Sequence, residues 1–287
     1  MRAPRAILFD HIPKCAGTSL ADHLVARCAG RPILRLDGSA QDEATRAFAA
    51  LSQATRHGYA LLAGHGAFRL APFAAPDALR ITVLRDPVER IASLHRYLLK
   101  TPAHYLHREV VRDLPTLAAF ATTHPTLEIR NFVTWHYTGL PPAEIDRDPE
   151  PAARQAFAVL RDGFDLVGFT EAIDAFVARL DARAGFADAD DARDAHPRGI
   201  LARLRHAFGA LASNATRPSR ANPRLTHTNA SLVGGDREPI PADARAAIEQ
   251  RNAADLALHA LLLTPDGTAG GSPRAEIVRP TRRLAGP

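Results

Sequence analysis

The sequence predicts an α/β domain built on a mainly parallel sheet. Three observations carry this reading. Short apolar runs rich in Ile, Leu, Val and Phe recur along the chain, helical patterns follow several of them, and polar or Gly/Pro-marked turns separate the two. A strand that feeds a helix and returns as another strand is the unit from which parallel sheets are made.

The elements follow in order. "RAILF", residues 5–9, reads as a buried strand, and "TSLADHLVARC", residues 18–28, carries Leu20, Leu24 and Cys28 at helical spacing. "YALLAG", residues 59–64, and "RITVLRD", residues 80–86, are the next strands; the second is rich in β-branched residues. Asp86 then caps a helix in "DPVERIASLHRYLL", with Pro87 at its first position, Glu89 completing a capping-box pattern, and Ile91, Leu94 and Leu98 on its buried face. "LPTLAAFATTH" and "EIRNFVTWHYTG" form a middle helical region that stops at Gly139 and Pro141-Pro142, with Trp135 and Tyr137 read as core. "FDLVGFTEAIDAFVARL", residues 164–180, is a strand running into a helix, with Thr170 as cap and Glu171 and Asp174 in the first turn. The pattern loosens from about residue 187 to 224. One last helix is expected over "PADARAAIEQRNAADLALHALLL", residues 241–263, and the Gly/Pro/Arg-rich remainder, 264–287, is expected to be a disordered tail. Residues 1–263 thus read as a single domain.

Composition narrows the function classes. A chain of 287 residues buries roughly three quarters of its unfolded surface, enough for a full core. Cys15 and Cys28 are too few for a disulfide framework, and the leading "AILF" is followed at once by Asp10, His11 and Lys14, unlike a signal peptide. A cytoplasmic location is the expectation. No run is long enough to span a membrane, although contact with a membrane surface stays open. The net charge of +5 favours anionic partners, but with 6% aromatic residues and no basic stripe or zinc-finger spacing, nucleic acid is not the expected one.

The segment "HIPKCAGTSL", residues 11–20, sits where a strand gives way to a helix. Free N–H groups and the dipole at a helix N-terminus favour an anion. The donors here belong to Ala16, Gly17, Thr18 and Ser19; Gly17 permits close approach, and Lys14 adds a mobile positive charge. The order of lysine and glycine is neither G-x-x-x-x-G-K-[ST] nor G-x-G-x-x-G. A second element, "RDPVERIAS", places Arg85 at a strand end and Ser93 two helical turns along, leaning back toward it, a pairing suited to a phosphate monoester.

Together "HIPKCAGTS" and "RDPVERIAS" resemble, in order and spacing, the two nucleotide-binding signatures of the carbohydrate-type sulfotransferases, the family typified by heparan sulfate 2-O-sulfotransferase and its bacterial relatives. "GHGAF", residues 64–68, is similar to the family's Gly-His segment, and "FDLVGFTE" and "THTNAS", residues 226–231, to later segments; residues 30–58 and 184–224 match no part of it. The resemblance implies a P-loop NTPase-like three-layer α/β/α fold with helical insertions, and a single cosubstrate, 3′-phosphoadenosine-5′-phosphosulfate (PAPS), released as adenosine 3′,5′-bisphosphate (PAP).

It also implies roles. Lys14, Cys15, Ala16, Gly17, Thr18 and Ser19 would hold the 5′ end of PAPS, Arg85 and Ser93 its 3′-phosphate, and Asn229 and Ser231 would line the nucleotide. Lys14 would stabilise the leaving phosphate oxygen, His65 would be the base, and His11 would touch the acceptor, a hydroxyl of a carbohydrate or glycolipid-like molecule. Lys14, Arg85 and backbone donors meet the nucleotide's charge, so no metal is required, and His104, His107, His136 and His227 show no metal-ligand spacing. Ala16 replaces the first glycine of the family's "GGTS" form, which is tolerable if that position has no positive φ. Arg217, Arg220 and Arg224 read as a solvated basic loop. The alternatives are a P-loop kinase-like phosphotransferase and a non-catalytic binder of nucleotide or anionic glycan; the acceptor's identity and the oligomeric state stay open.

Overall fold

A computed structural model describes residues 5–36, 41–186, 239–264 and 274–280. Its centre is a six-stranded, all-parallel sheet of strands β1 (Ile7–Asp10), β2 (Ile33–Leu36), β3 (Leu61–Gly64), β4 (Leu79–Leu84), β5 (Leu166–Phe169) and β6 (Glu276–Val278), ordered β2-β3-β1-β4-β5-β6. Alternate residues of the central strands face opposite ways. Ile7, Phe9, Leu61, Ala63, Ile81 and Val83 pack with α1 (Gly17–Arg27) and α10 (Ile173–Ala184). On the other face Leu8 and Leu62 meet α2 (Gln41–Ala50), while Val167 and Phe169 meet α7 (Phe132–Thr138), α9 (Pro149–Gly163) and α12 (Ala253–Leu263). Burial on both faces explains why these strands read as continuous apolar runs.

The expected strand–helix pairs form where the sequence placed them. Asp86 accepts a hydrogen bond from the Glu89 amide and Pro87 opens α4 (Pro87–Lys100), though the Glu89 carboxylate meets Arg85 rather than closing a capping box. Tyr137 is core, and Gly139 ends α7 in the left-handed conformation. The insertion between β4 and β5 also contains α5 (His107–Asp113), α6 (Leu117–Thr123) and α8 (Pro142–Arg147).

Four expectations differ. Residues 30–58, without an assigned element, contain β2, α2 and α3 (Gln53–His57). The last helix is two, α11 (Ala242–Arg251) and α12, parted at Asn252, whose buried side chain bonds the Ile129 and Ile248 carbonyls and the Asn131 amide. Thr170 does not cap α10: Ala172 precedes that helix, and the Thr170 hydroxyl is buried without a partner. The stretch taken as a disordered tail contributes β6, which pairs with β5 from Leu166↔Glu276 to Gly168↔Val278. Three residues are too few to show a period, and their partner lies more than a hundred residues back.

Candidate anion-binding site

The carboxyl ends of the three adjacent strands β3, β1 and β4 carry the segments that the sequence singled out. His65 follows β3, the loop 11–16 follows β1, and Arg85 follows β4. Ligands of open parallel sheets bind at these ends, where the chain's direction of travel across the sheet reverses; here β1 leads to the β2 edge and the chain then returns through β3 to β4.

Ile12 and Cys15 anchor the loop by burying their side chains in the core beside α7 and α9. The backbone around Cys15 is unusual. Lys14 (φ 66°) and Ala16 (φ 59°) are both left-handed while Cys15 is not. Left-handed residues alternating with others are the backbone pattern from which anion-binding concavities are built. Each left-handed non-glycine residue costs roughly 1–2 kcal/mol, and such strain gathers at ligand sites. The condition under which an alanine at this position would be unstrained, no positive φ, is therefore not met. No side chain caps α1 and no acidic residue lies in its first turn, unlike α4 with Asp86 and Glu89. Gly17 has a reason within the fold itself. A Cβ there would stand 1.8 Å from His11 Cδ2, so glycine makes room for the His11 ring. Thr18 is exposed and Ser19 half-buried. Cys15 is a loop anchor: its thiol lies in the core, pushed by burial up to about 12, and its amide donates to the Ile12 carbonyl at 3.3 Å.

Positive charge surrounds this loop. The Lys14 Nζ lies 3.8 Å from the centroid of the Tyr97 ring. Burial, and next the Arg85 guanidinium, bring the Lys14 ammonium down from 10.5 to about 8. Arg85 is only 6% exposed; it donates to Glu89 Oε2 at 3.2 Å and weakly to the Lys14 carbonyl at 3.5 Å, and its Nε is buried without a partner. Ser93, 7% exposed, lies on the same helix as Glu89, one turn further on.

Arg90 is a component that the sequence reading passed over. It is 0% exposed, donates once, to the Glu128 carbonyl at 2.7 Å, and leaves Nε and Nη1 buried without partners. Its guanidinium also lies 5.3 Å from the centroid of the Phe132 ring, and after burial it is the largest influence on the Cys15 thiol, opposing ionisation's cost. The signal was present: Arg90, Leu94 and Leu98 share one buried stripe of α4 at i, i+4 and i+8. A buried guanidinium with idle donors is costly unless an anion completes it.

On the other side of the loop, His65 Nδ1 donates to the His11 carbonyl at 2.7 Å. A carbonyl only accepts, so in the neutral ring the Nε2 lone pair is left free to take a proton. The two imidazoles stack with centroids 4.4 Å apart. Burial, then His65, lowers His11 from 6.5 to about 3, so it is neutral at working pH. Beneath them Asp10, at 0% exposure, accepts from the Phe68 amide at 3.1 Å and from His136 Nε2 at 2.8 Å. Burial would raise this carboxyl, but His136, the Phe68 amide and Tyr137 outweigh it and hold it below 3.8. Thr82 Oγ1 donates to the Asp10 carbonyl and meets the Tyr137 hydroxyl, both at 3.0 Å. This network ties the loop, the segment after His65, and α7 to one point.

The structure thus brings His11, Lys14, Ala16, Gly17, His65 and Arg85 to one end of the sheet. Asn229 and Ser231, like Arg217, Arg220 and Arg224, lie outside the described residues. Among the described residues no group of three or more His, Cys, Asp and Glu is placed to hold a metal ion, and no helix is long and apolar enough to cross a membrane. Both cysteines are free thiols. A cleft of about 500 Å³ lined by Arg130, Asp146 and Arg251 contains none of the singled-out residues. Its cations are already engaged, Arg130 by Asp146 and Arg251 by the Ala121, Thr122 and His124 carbonyls. No protein-family model matches the chain, and a search of curated proteins found no match.

Proposed function

We propose that the protein is a PAPS-dependent sulfotransferase of P-loop NTPase-like fold, working in the cytoplasm on a hydroxyl of a carbohydrate or glycolipid-like acceptor. The observation that carries the reading is a half-buried Lys14 beside a buried Arg85, with burial first and then the Arg85 guanidinium lowering the Lys14 ammonium, next to a strained loop and an uncapped helix start. An apolar interior does not keep like charges together without a use for them. A dianionic end at the loop and a second phosphate near Arg85 and Ser93 would relieve the repulsion and supply acceptors for the idle donors of Arg85 and Arg90.

The chemistry follows from the side chains. His65 Nε2 takes the proton from the acceptor hydroxyl as its oxygen attacks sulfur, and the S–O bond to the phosphate breaks on the opposite side. Lys14 and the α1 amides neutralise the charge that gathers on the departing phosphate oxygen, leaving PAP and a sulfate ester. A lysine ahead of the glycine suits a group that must follow a leaving oxygen rather than cradle a triphosphate.

Thermal-shift comparison tests the class. PAP should raise the unfolding midpoint and ATP with Mg²⁺ should not; a shift with ATP–Mg²⁺ alone would favour the kinase-like alternative. Transfer from labelled PAPS to a panel of hydroxyl acceptors should be lost in Lys14→Ala and His65→Ala. PAP binding that survives in both variants without any transfer by the parent protein would indicate a binder and not an enzyme.

A further inference from the structure

Tyr105 is the most exposed large apolar side chain among the described residues, at 78%. It lies between α4 and α5, where its ring stacks on His104 with centroids 4.7 Å apart and planes 27° apart. His104 in turn meets Tyr97 edge-on at 5.7 Å, and the face of Tyr97 receives the Lys14 ammonium at 3.8 Å. A continuous run of rings leads from the loop lysine to solvent. Core packing does not account for its outer member.

The backing ring is fixed. His104 Nδ1 accepts from the Leu106 amide at 3.2 Å, so in the neutral ring the proton sits on Nε2. Burial lowers its pKa below 6.5, opposed by Glu128. The Glu128 carboxylate also raises the pKa of Lys14 and of Tyr105, in each case as a smaller effect than burial. An exposed phenol ring held flat against a second ring is a stacking platform for a nucleobase or for the apolar face of a pyranose.

We propose that His104 and Tyr105 form a ring-stacking subsite that continues the anion site outward from Lys14 and receives the ring carried by a bound anion or its reaction partner. The inference rests on the anion site described above. Two sources share this chemistry, the base of the nucleotide and the sugar ring of the acceptor.

Three probes distinguish them in the parent protein, Tyr105→Ala and Tyr105→Phe: pyrophosphate, PAP, and methyl β-D-glucopyranoside added to the PAP complex. The first two are followed by calorimetry and the third by saturation-transfer NMR. Tyr105→Ala should leave pyrophosphate affinity unchanged and weaken one ring-bearing probe by about 5- to 150-fold, as expected for loss of one stacking ring, while Tyr105→Phe retains it. A loss for PAP assigns the ring to the nucleobase; a loss for the glucoside alone assigns it to the acceptor. The proposal is overturned if neither ring-bearing probe distinguishes Tyr105→Ala from the parent, or if pyrophosphate weakens equally. Failure of the parent to bind both pyrophosphate and PAP would instead remove the anion site, and the subsite with it.

Discussion

Lys14 is charged in the free protein only below about pH 8, because burial and Arg85 both work against its ammonium. An anion that needs this charge must, above pH 8, be accompanied by a proton. Affinity for PAP should therefore be flat below pH 8 and fall by up to about tenfold per pH unit above it. Lys14→Arg should hold affinity level to pH 10, since a guanidinium does not titrate there. Calorimetry across pH 7–10 checks both, and a flat profile for the parent protein would remove Lys14 from the site. The same shift has a sign for folding. With the native value near 8 and the unfolded one at 10.5, the unfolded chain holds more protons between them, so the stability of the free protein should rise with pH across that interval. Gly17 allows a second test. Its Cβ-to-be overlaps the His11 ring, so Gly17→Ala should cost about 1–3 kcal/mol in urea denaturation, as overpacking does. Adding His11→Ala should restore part of that loss, since the two substitutions share one contact. Additive losses would place the strain elsewhere.

Helix α4 shows how much one element can reveal in its own sequence. Its start is written locally, Asp86 accepting from the Glu89 amide at 3.0 Å with Pro87 behind it, and its buried stripe follows from spacing alone. Asp86→Ala should cost about 1 kcal/mol and loosen the turn that carries Arg85; an unchanged urea midpoint would mean that the cap contributes nothing. Lys14 and Arg85 were legible for the same reason, as charged residues at the ends of apolar runs. Arg90 was harder to see, because an arginine among Val88, Ile91 and Leu94 is ordinarily read as a surface residue until the fold buries it. The bond from His136 to Asp10 had no local signature at all: it joins the end of β1 to α7, and only the tertiary approach of two helix–strand units makes it. The φ of Ala16 was not legible, because nothing in the residue itself signals positive φ; the loop imposes the left-handed conformation on an alanine. Edge strand β2 escaped notice because only Leu36 of its four residues is buried, Ile33 and Leu34 being half-buried and Arg35 exposed, which leaves neither a clean alternation nor a continuous apolar run.

Across the whole molecule, the sheet's two edges bear on stability as much as its centre bears on function. An open parallel edge presents a row of unpaired amides and carbonyls to other chains. β6 covers that row on β5, and the residues around it reinforce the join. Arg274 donates from both Nε and Nη2 to the Asp165 carboxylate, whose Oδ2 also accepts from the Arg80 amide, while Glu276 pairs with Arg179 at 2.6 Å and Arg183 at 3.4 Å. Two of these partners lie on α10 and one precedes β5, so the late segment ties three elements together. A chain ending at residue 264 would lose the strand and leave Asp165 with less of its countercharge. Breaking charge-assisted bonds of this kind costs about 2 kcal/mol, which in a chain of this length corresponds to a Tm lower by about 5 °C. The bared edge of β5 should also raise light scattering with protein concentration. PAP binding should persist at low temperature, because the loop after β1 and Arg85 follow strands β1 and β4, which lie inside β5 and keep both of their sheet neighbours. Calorimetry and static light scattering on the truncated and full chains separate the outcomes: an unchanged Tm with unchanged scattering would mean that β6 adds nothing to the sheet, and loss of PAP binding in a still-folded chain would mean that residues after 264 reach the site.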